Sequence, residues 1–112
     1  MENKRRYIRV RPHEWAPVEI QLNGVDFLDI LYAEDISEGG ARINVPHEFS
    51  GCTIDAAIDL VITLPEYRSF KARGRIRHVG NTRTAFGVEF ISLEESSRQQ
   101  LRGYVQEVHD SS

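Results

Sequence analysis

The chain has one cysteine, Cys52, in 112 residues, so no internal disulfide can form. Its fold must be held by an apolar core and hydrogen bonds, and a reducing, cytoplasmic location is expected. No run of about 18 apolar residues occurs, which excludes a membrane-spanning helix. The basic start is not followed by an apolar segment, so no secretory leader is expected. The four histidines, His13, His47, His78 and His109, lack the spacing of a metal site, which needs three or four convergent ligands. No phosphate-binding glycine loop, nucleophile elbow or catalytic carboxylate pair is present, and Cys52 has no recognisable base beside it. The expectation is a non-enzymatic protein with no catalytic residue, metal or cofactor.

Positive charge is scarce except at one place. Residues 1–11 contain five Lys or Arg and one acid, a net of +4, whereas the other 101 residues contain nine Lys or Arg and sixteen acids, a net of −7. A polymeric nucleic acid requires many cations spread over a face, and the overall charge of −3 argues against one. Single-stranded nucleic acid would also need exposed aromatics among the cations. Here Phe70, Phe86 and Phe90 fall at alternating strand positions expected to be buried.

With 40% apolar and 28% charged residues, the chain suits a single soluble domain. Residues 1–16, broken by Pro12, read as a flexible basic arm with Trp15 as an anchor against the body. Residues 17–92 read as strands. Val18 to Leu22 alternates and is followed by Asn23-Gly24, a two-residue hairpin signal. Val25 to Tyr32 forms a second strand, with Phe27 on one face and Ile30 or Tyr32 on the other, and Asp35 to Gly40 a turn. Ala41, Ile43 and Val45 alternate until Pro46.

Three further strands follow. Ile58, Leu60, Ile62 and Leu64 share one face, Phe70, Ala72, Gly74 and Ile76 another, and Phe86, Val88 and Phe90 a third, with a turn at Gly80-Asn81-Thr82. The cations Lys71, Arg73, Arg75 and Arg77 then lie outward, where Asp59 and Glu89 are suited to pair with them across strands. Arg77, nearest the strand end, is the exception best placed to reach a ligand. Six short strands with short connections favour an antiparallel β-barrel, because closure removes exposed edges. Residues 93–109 read as a C-terminal helix capped by Ser92, with Glu94 and Glu95 in its first turn and a stripe of Leu93, Leu101, Tyr104, Val105 and Val108.

Two segments carry recognisable chemistry. Arg5 and Arg9, in Lys4-Arg5-Arg6-Tyr7-Ile8-Arg9, are about 13 Å apart if the arm is extended. Their paired N–H donors match phosphate oxygens and the O6/N7 edge of guanine. Asp35 offers the complement, since a carboxylate accepts from guanine N1–H and N2–H₂ together, which adenine does not provide. Ser37 supplies a hydroxyl, and Gly39 and Gly40 allow close backbone approach.

Arg5-x-x-x-Arg9 with Asp35-x-Ser37-x-x-Gly40, and Gly87-Val88-Glu89-Phe90 in a late strand, resembles the RxxxR and (D/N)xSxxG signature of the PilZ domain. The likeness extends over essentially the whole chain. It implies a PilZ-type six-stranded antiparallel barrel with a C-terminal helix, and a bacterial receptor for cyclic di-GMP. The implied ligand-binding residues are Lys4, Arg5, Arg6, Arg9, Asp35, Ser37, Gly39, Gly40 and Arg77. Arg5 and Arg9 clasp guanines and phosphates, Asp35 reads a guanine edge, and Ser37 and Gly40 shape the turn at the barrel mouth. Lys4 precedes the motif where the family tunes how many ligands stack, so a stacked ligand pair is compatible. Where many members carry an aromatic late in the fifth strand, this chain places His78.

The implied output is an arm that orders on ligand binding and signals to a downstream protein partner in motility, biofilm or exopolysaccharide control. A monomer or weak homodimer is expected, with no membrane insertion. The rival is a protein-interaction module of the same fold that does not depend on ligand.

Overall fold

The structure is a computed structural model that describes residues 7–23, 28–44, 54–79 and 85–111. Expectations placed on Lys4, Arg5, Arg6, Gly24, Phe27, Val45, Pro46, His47, Cys52 and Gly80-Asn81-Thr82 lie outside those residues. Six strands precede one helix: β1 (Glu19–Asn23), β2 (Leu28–Ser37), β3 (Gly40–Asn44), β4 (Ala57–Thr63), β5 (Phe70–Val79), β6 (Ala85–Leu93) and α1 (Glu95–Asp110). All pairings are antiparallel, and the order β1-β2-β3-β6-β5-β4 closes through β4 against β1.

Period-2 alternation builds the core. Ile20, Leu22, Leu31, Ile43, Leu60, Ile62 and Ile76 point inward from five strands and are fully buried. Phe70 and Phe86 are buried as expected, and Phe90 packs partly buried against the same core. The outward cations pair across strands: Arg73 meets Asp59 at 3.2 Å and Arg77 meets Glu89 at 2.8 Å. Helix α1 lays Leu101, Tyr104, Val105 and Val108 onto this core. It is tied to the barrel by a hydrogen bond from the Tyr67 hydroxyl to Glu107.

Several expectations are corrected. Asp35, Ile36 and Ser37 belong to β2, and the turn is only Glu38-Gly39. The outward polar residues Glu34 and Asp35 sit at a register shift in β2, and turn-like composition there reflects the exposed face of a bulged strand. Asn23 pairs with Leu28 across β1 and β2, so Asn23 is a ladder residue where the sequence suggested the first position of a turn. Ser92 lies in β6 and does not cap the helix; the N-cap is Glu94, without a side-chain cap bond, and the helix runs 95–110. Trp15 is 80% exposed and stacks on His13 at 4.5 Å, so it is not a packing anchor. The anchor of the N-terminal segment is Val10, which is buried and exchanges two backbone hydrogen bonds with Ile36 at 3.0 and 2.9 Å.

The Tyr104 hydroxyl is buried and finds no hydrogen-bond partner among the described residues. Desolvation, with a lesser contribution from nearby Glu107, pushes its pKa up to about 12 from 10.0. A raised folded-state pKa contributes stability that is intact below pH 10 and is lost as pH rises from there to about 12. Tyr104→Phe is therefore expected to stabilise the protein by about 1 kcal/mol at neutral pH, because it removes an unsatisfied donor. It should also make the alkaline loss of stability shallower; urea melts at pH 7 and above pH 10 check both.

Candidate functional site

The mouth of the barrel is assembled from two strand irregularities and one tight turn. In β5, Ile76 pairs with Val88 and His78 with Gly87, so Arg77 is the extra residue of a bulge. The bulge turns two consecutive side chains, Arg77 and His78, outward on the same rim. The shift in β2 between Ala33 and Asp35 does the same for Glu34 and Asp35. Between these rims the Glu38-Gly39 turn joins β2 to β3.

Ser37 holds that turn. Its buried hydroxyl accepts the Gly39 N–H at 3.1 Å and donates to the Gly40 carbonyl at 3.4 Å. The Gly39 carbonyl in turn accepts the Phe90 N–H at 2.9 Å, fastening the turn to β6. Gly40 is required by space, since a Cβ there would stand 2.2 Å from the Val88 carbonyl oxygen. Gly39 faces the other way, and a Cβ on it would stand 2.7 Å from Cδ2 of the Tyr7 ring. The N-terminal segment thus lies directly on the turn. Glu38 is drawn toward the helix, where Arg102 donates to both carboxylate oxygens at 3.0 and 3.3 Å. That hydrogen bond is the leading cause holding the Arg102 guanidinium above its ordinary pKa.

A cleft of about 380 Å³ opens beside the turn, lined by Tyr7, Arg9, Ser37, Gly39, Gly40, Arg77, His78, Gly87, Val88 and Glu89. Of the expected ligand residues, five line it: Arg9, Ser37, Gly39, Gly40 and Arg77. Asp35 stands at its edge, bound to Arg9 at 2.9 Å with the two side chains 22% and 41% exposed. Lys4, Arg5 and Arg6 lie outside the described residues.

Arg77 is not free as it lines the cleft. Its Nε donates to Glu89 at 2.8 Å and a terminal nitrogen donates to Asp55 at 2.9 Å. The Glu89 hydrogen bond is the leading cause that raises its pKa above the ordinary guanidinium value, against an opposing effect of desolvation. Sequence reasoning did not place Tyr7 or Glu89 in the site. Tyr7 sits inside the Arg5-x-x-x-Arg9 spacing, which could have drawn attention to it. Glu89 enters through the β3–β6 register Gly40↔Glu89, which no local pattern reveals. Among the described residues no group of three or more His, Cys, Asp or Glu could hold a metal ion, and no helix is long and apolar enough to cross a membrane.

The sequence matches the PilZ domain family over residues 3–107. Comparison with curated proteins by sequence gives no match. Among solved structures, the fold is similar to the Bacillus subtilis inhibitor of motility MotI/DgrA at 17% identity and a TM-score of 0.84, covering 98% of this chain and 53% of that one. It is similar to the PilZ domain with c-di-GMP of YcgR from Escherichia coli at 12% identity and a TM-score of 0.78, covering 97% and 94%. It is also similar to the MrkH–c-di-GMP complex of K. pneumonia at 14% identity and a TM-score of 0.80, covering 99% and 55%. The chain thus spans about half the length of MotI and MrkH and nearly all of the isolated YcgR domain.

The two glycines of the turn should separate on substitution. Gly40→Ala drives a methyl group into β6 backbone and is expected to cost about 1–3 kcal/mol. Gly39→Ala meets only the edge of a tyrosine ring that can swing away, and should change stability by less than about 0.5 kcal/mol. Chemical denaturation of the two variants checks the contrast.

Proposed function

The chain belongs to the PilZ domain family, and we propose that it is a receptor for cyclic di-GMP whose N-terminal arm closes on the barrel mouth when ligand binds. The observation that carries this reading is the Arg9–Asp35 pair at 2.9 Å. It joins one residue of the arm motif to one of the turn motif at the lip of a cleft, so both halves of the site meet at one point. Each partner has chemistry that a guanine dinucleotide can take over. The guanidinium exchanges a carboxylate for a phosphate, and the carboxylate exchanges a guanidinium for guanine N1–H and N2–H₂. A partly exposed ion pair contributes only about 0.2–1 kcal/mol, so releasing it costs little against the charge-assisted bonds gained.

Several relatives of this fold are described with c-di-GMP bound, which supports the same ligand here. In this reading Lys4, Arg5 and Arg6 supply the remaining positive charge from the arm. Ser37, Gly39 and Gly40 hold the turn, and Arg77 lies on the opposite rim. The protein acts as a cytoplasmic receptor and not as an enzyme. The ordered arm then forms a surface for a downstream protein partner in motility, biofilm or exopolysaccharide control, outputs in keeping with a relative described as an inhibitor of motility.

Isothermal titration of the intact protein with cyclic di-GMP should give saturable heat, and cyclic di-AMP should give none. Arg9→Ala and Asp35→Ala should each weaken cyclic di-GMP at least tenfold, about 1.4 kcal/mol, with the wild-type affinity falling steeply as salt rises. Absence of heat with cyclic di-GMP, or equal binding of cyclic di-AMP, overturns the proposal.

A further inference from the structure

The cations of the described cleft are already engaged by carboxylates, so an anionic ligand must compete for them. The cleft's two guanidiniums, Arg9 and Arg77, are bound by three carboxylates: Asp35 on Arg9, and Glu89 and Asp55 on Arg77. Of these three, Glu89 is the one that itself lines the cleft. Its position is fixed from both sides, by Gly40 across β3 and by Arg75 across β5. The cross-strand neighbour Arg75 does not bond it, and instead donates to the Asp55 carbonyl at 2.9 Å. Glu89 therefore takes Arg77, one residue before His78 on the bulge, and draws that cation onto itself.

Resting on the receptor reading, we infer that Glu89 is a specificity-setting residue that opposes anions at the barrel mouth. Its carboxylate competes with a ligand phosphate for Arg77 and repels that phosphate directly. An anion entering the cleft must detach Arg77 from Glu89 and tolerate the carboxylate that remains. Only a ligand that also draws on the basic N-terminal residues recovers what this costs, because residues 1–11 carry a net charge of +4 in a chain whose net charge is −3. Glu89 thus keeps simple phosphate compounds from occupying the cleft with Arg77 alone. Asp55 holds Arg77 as well but lies off the cleft lining, so it restrains the cation without facing the ligand.

The test is calorimetric titration of cyclic di-GMP into wild type, Glu89→Gln, Asp55→Asn and Asp59→Asn. The Asp59→Asn control removes an acid of equal charge that pairs with Arg73 elsewhere on the barrel. At low ionic strength Glu89→Gln should bind about 3–10-fold more tightly than wild type. The gain should shrink at high salt, where the screening length falls to about 3 Å. Asp55→Asn should gain less than Glu89→Gln, and Asp59→Asn should match wild type. If wild type binds and Glu89→Gln binds equally or more weakly, Glu89 is an acceptor or a positioning group for the ligand and the inference is overturned alone. An equal gain in Asp59→Asn also overturns it, since the effect is then one of overall charge. If wild type gives no heat, the receptor reading itself fails and takes this inference with it.

Discussion

The site depends on how closely β3 and β6 approach at Gly40. The backbone of Val88 occupies the space where any other residue would carry its Cβ, 2.2 Å from the carbonyl oxygen. That approach sets the Gly40↔Glu89 register, and the register decides which β6 side chains stand beside the turn. It also lets the Gly39 carbonyl take the Phe90 N–H, so the turn is fastened to a barrel wall. Ser37 braces that turn from within, its hydroxyl accepting the Gly39 N–H and donating to the Gly40 carbonyl. The serine and glycines of the motif are, in this arrangement, the rigid half, and the charged side chains of the mouth are Arg9, Asp35, Arg77 and Glu89.

Much of the barrel was legible because burial on one face writes itself as alternation. Leu60 and Ile62, Phe70, Ala72 and Ile76, and Phe86 and Val88 all point where a period of two puts them. The reading failed where the period changes. Asp35 to Ser37 looked like a turn because a bulge brings two polar residues outward in succession, and polar clusters are also how turns are written. Trp15 departs from the expected anchor because size favours burial only when a pocket is available. Here the ring finds His13, and the smaller Val10 takes the buried position against Ile36. The Arg9–Asp35 meeting was foreshadowed by the charge of the arm and the carboxylate of the second motif. The Arg77–Glu89 pair was foreshadowed as well, but the place of Glu89 beside Gly40 was not, since it is set by the non-sequential strand order β3-β6-β5.

Electrostatics divide the molecule in a way the strand pattern does not. Arg9, Arg73, Arg77 and Arg102 each have an acid as partner, so the barrel surface is largely self-neutralised. Exposed pairs of this kind add little to stability. Their effect is on what the surface offers to others: cations already engaged attract an anion weakly at a distance.

The bulge at Arg77 has a consequence for how the rim is encoded. A strand with unbroken alternation dedicates every second residue to the core, so no two adjacent side chains can serve the same outer surface. One additional residue shifts the phase of β5, and Arg77 and His78 both become available outside while Ile76 and Val79 remain with the core. The rim is therefore written in the counting of residues as much as in their identity. A sequence could keep every amino acid type of this strand, lose one position, and exchange its lip for its lining.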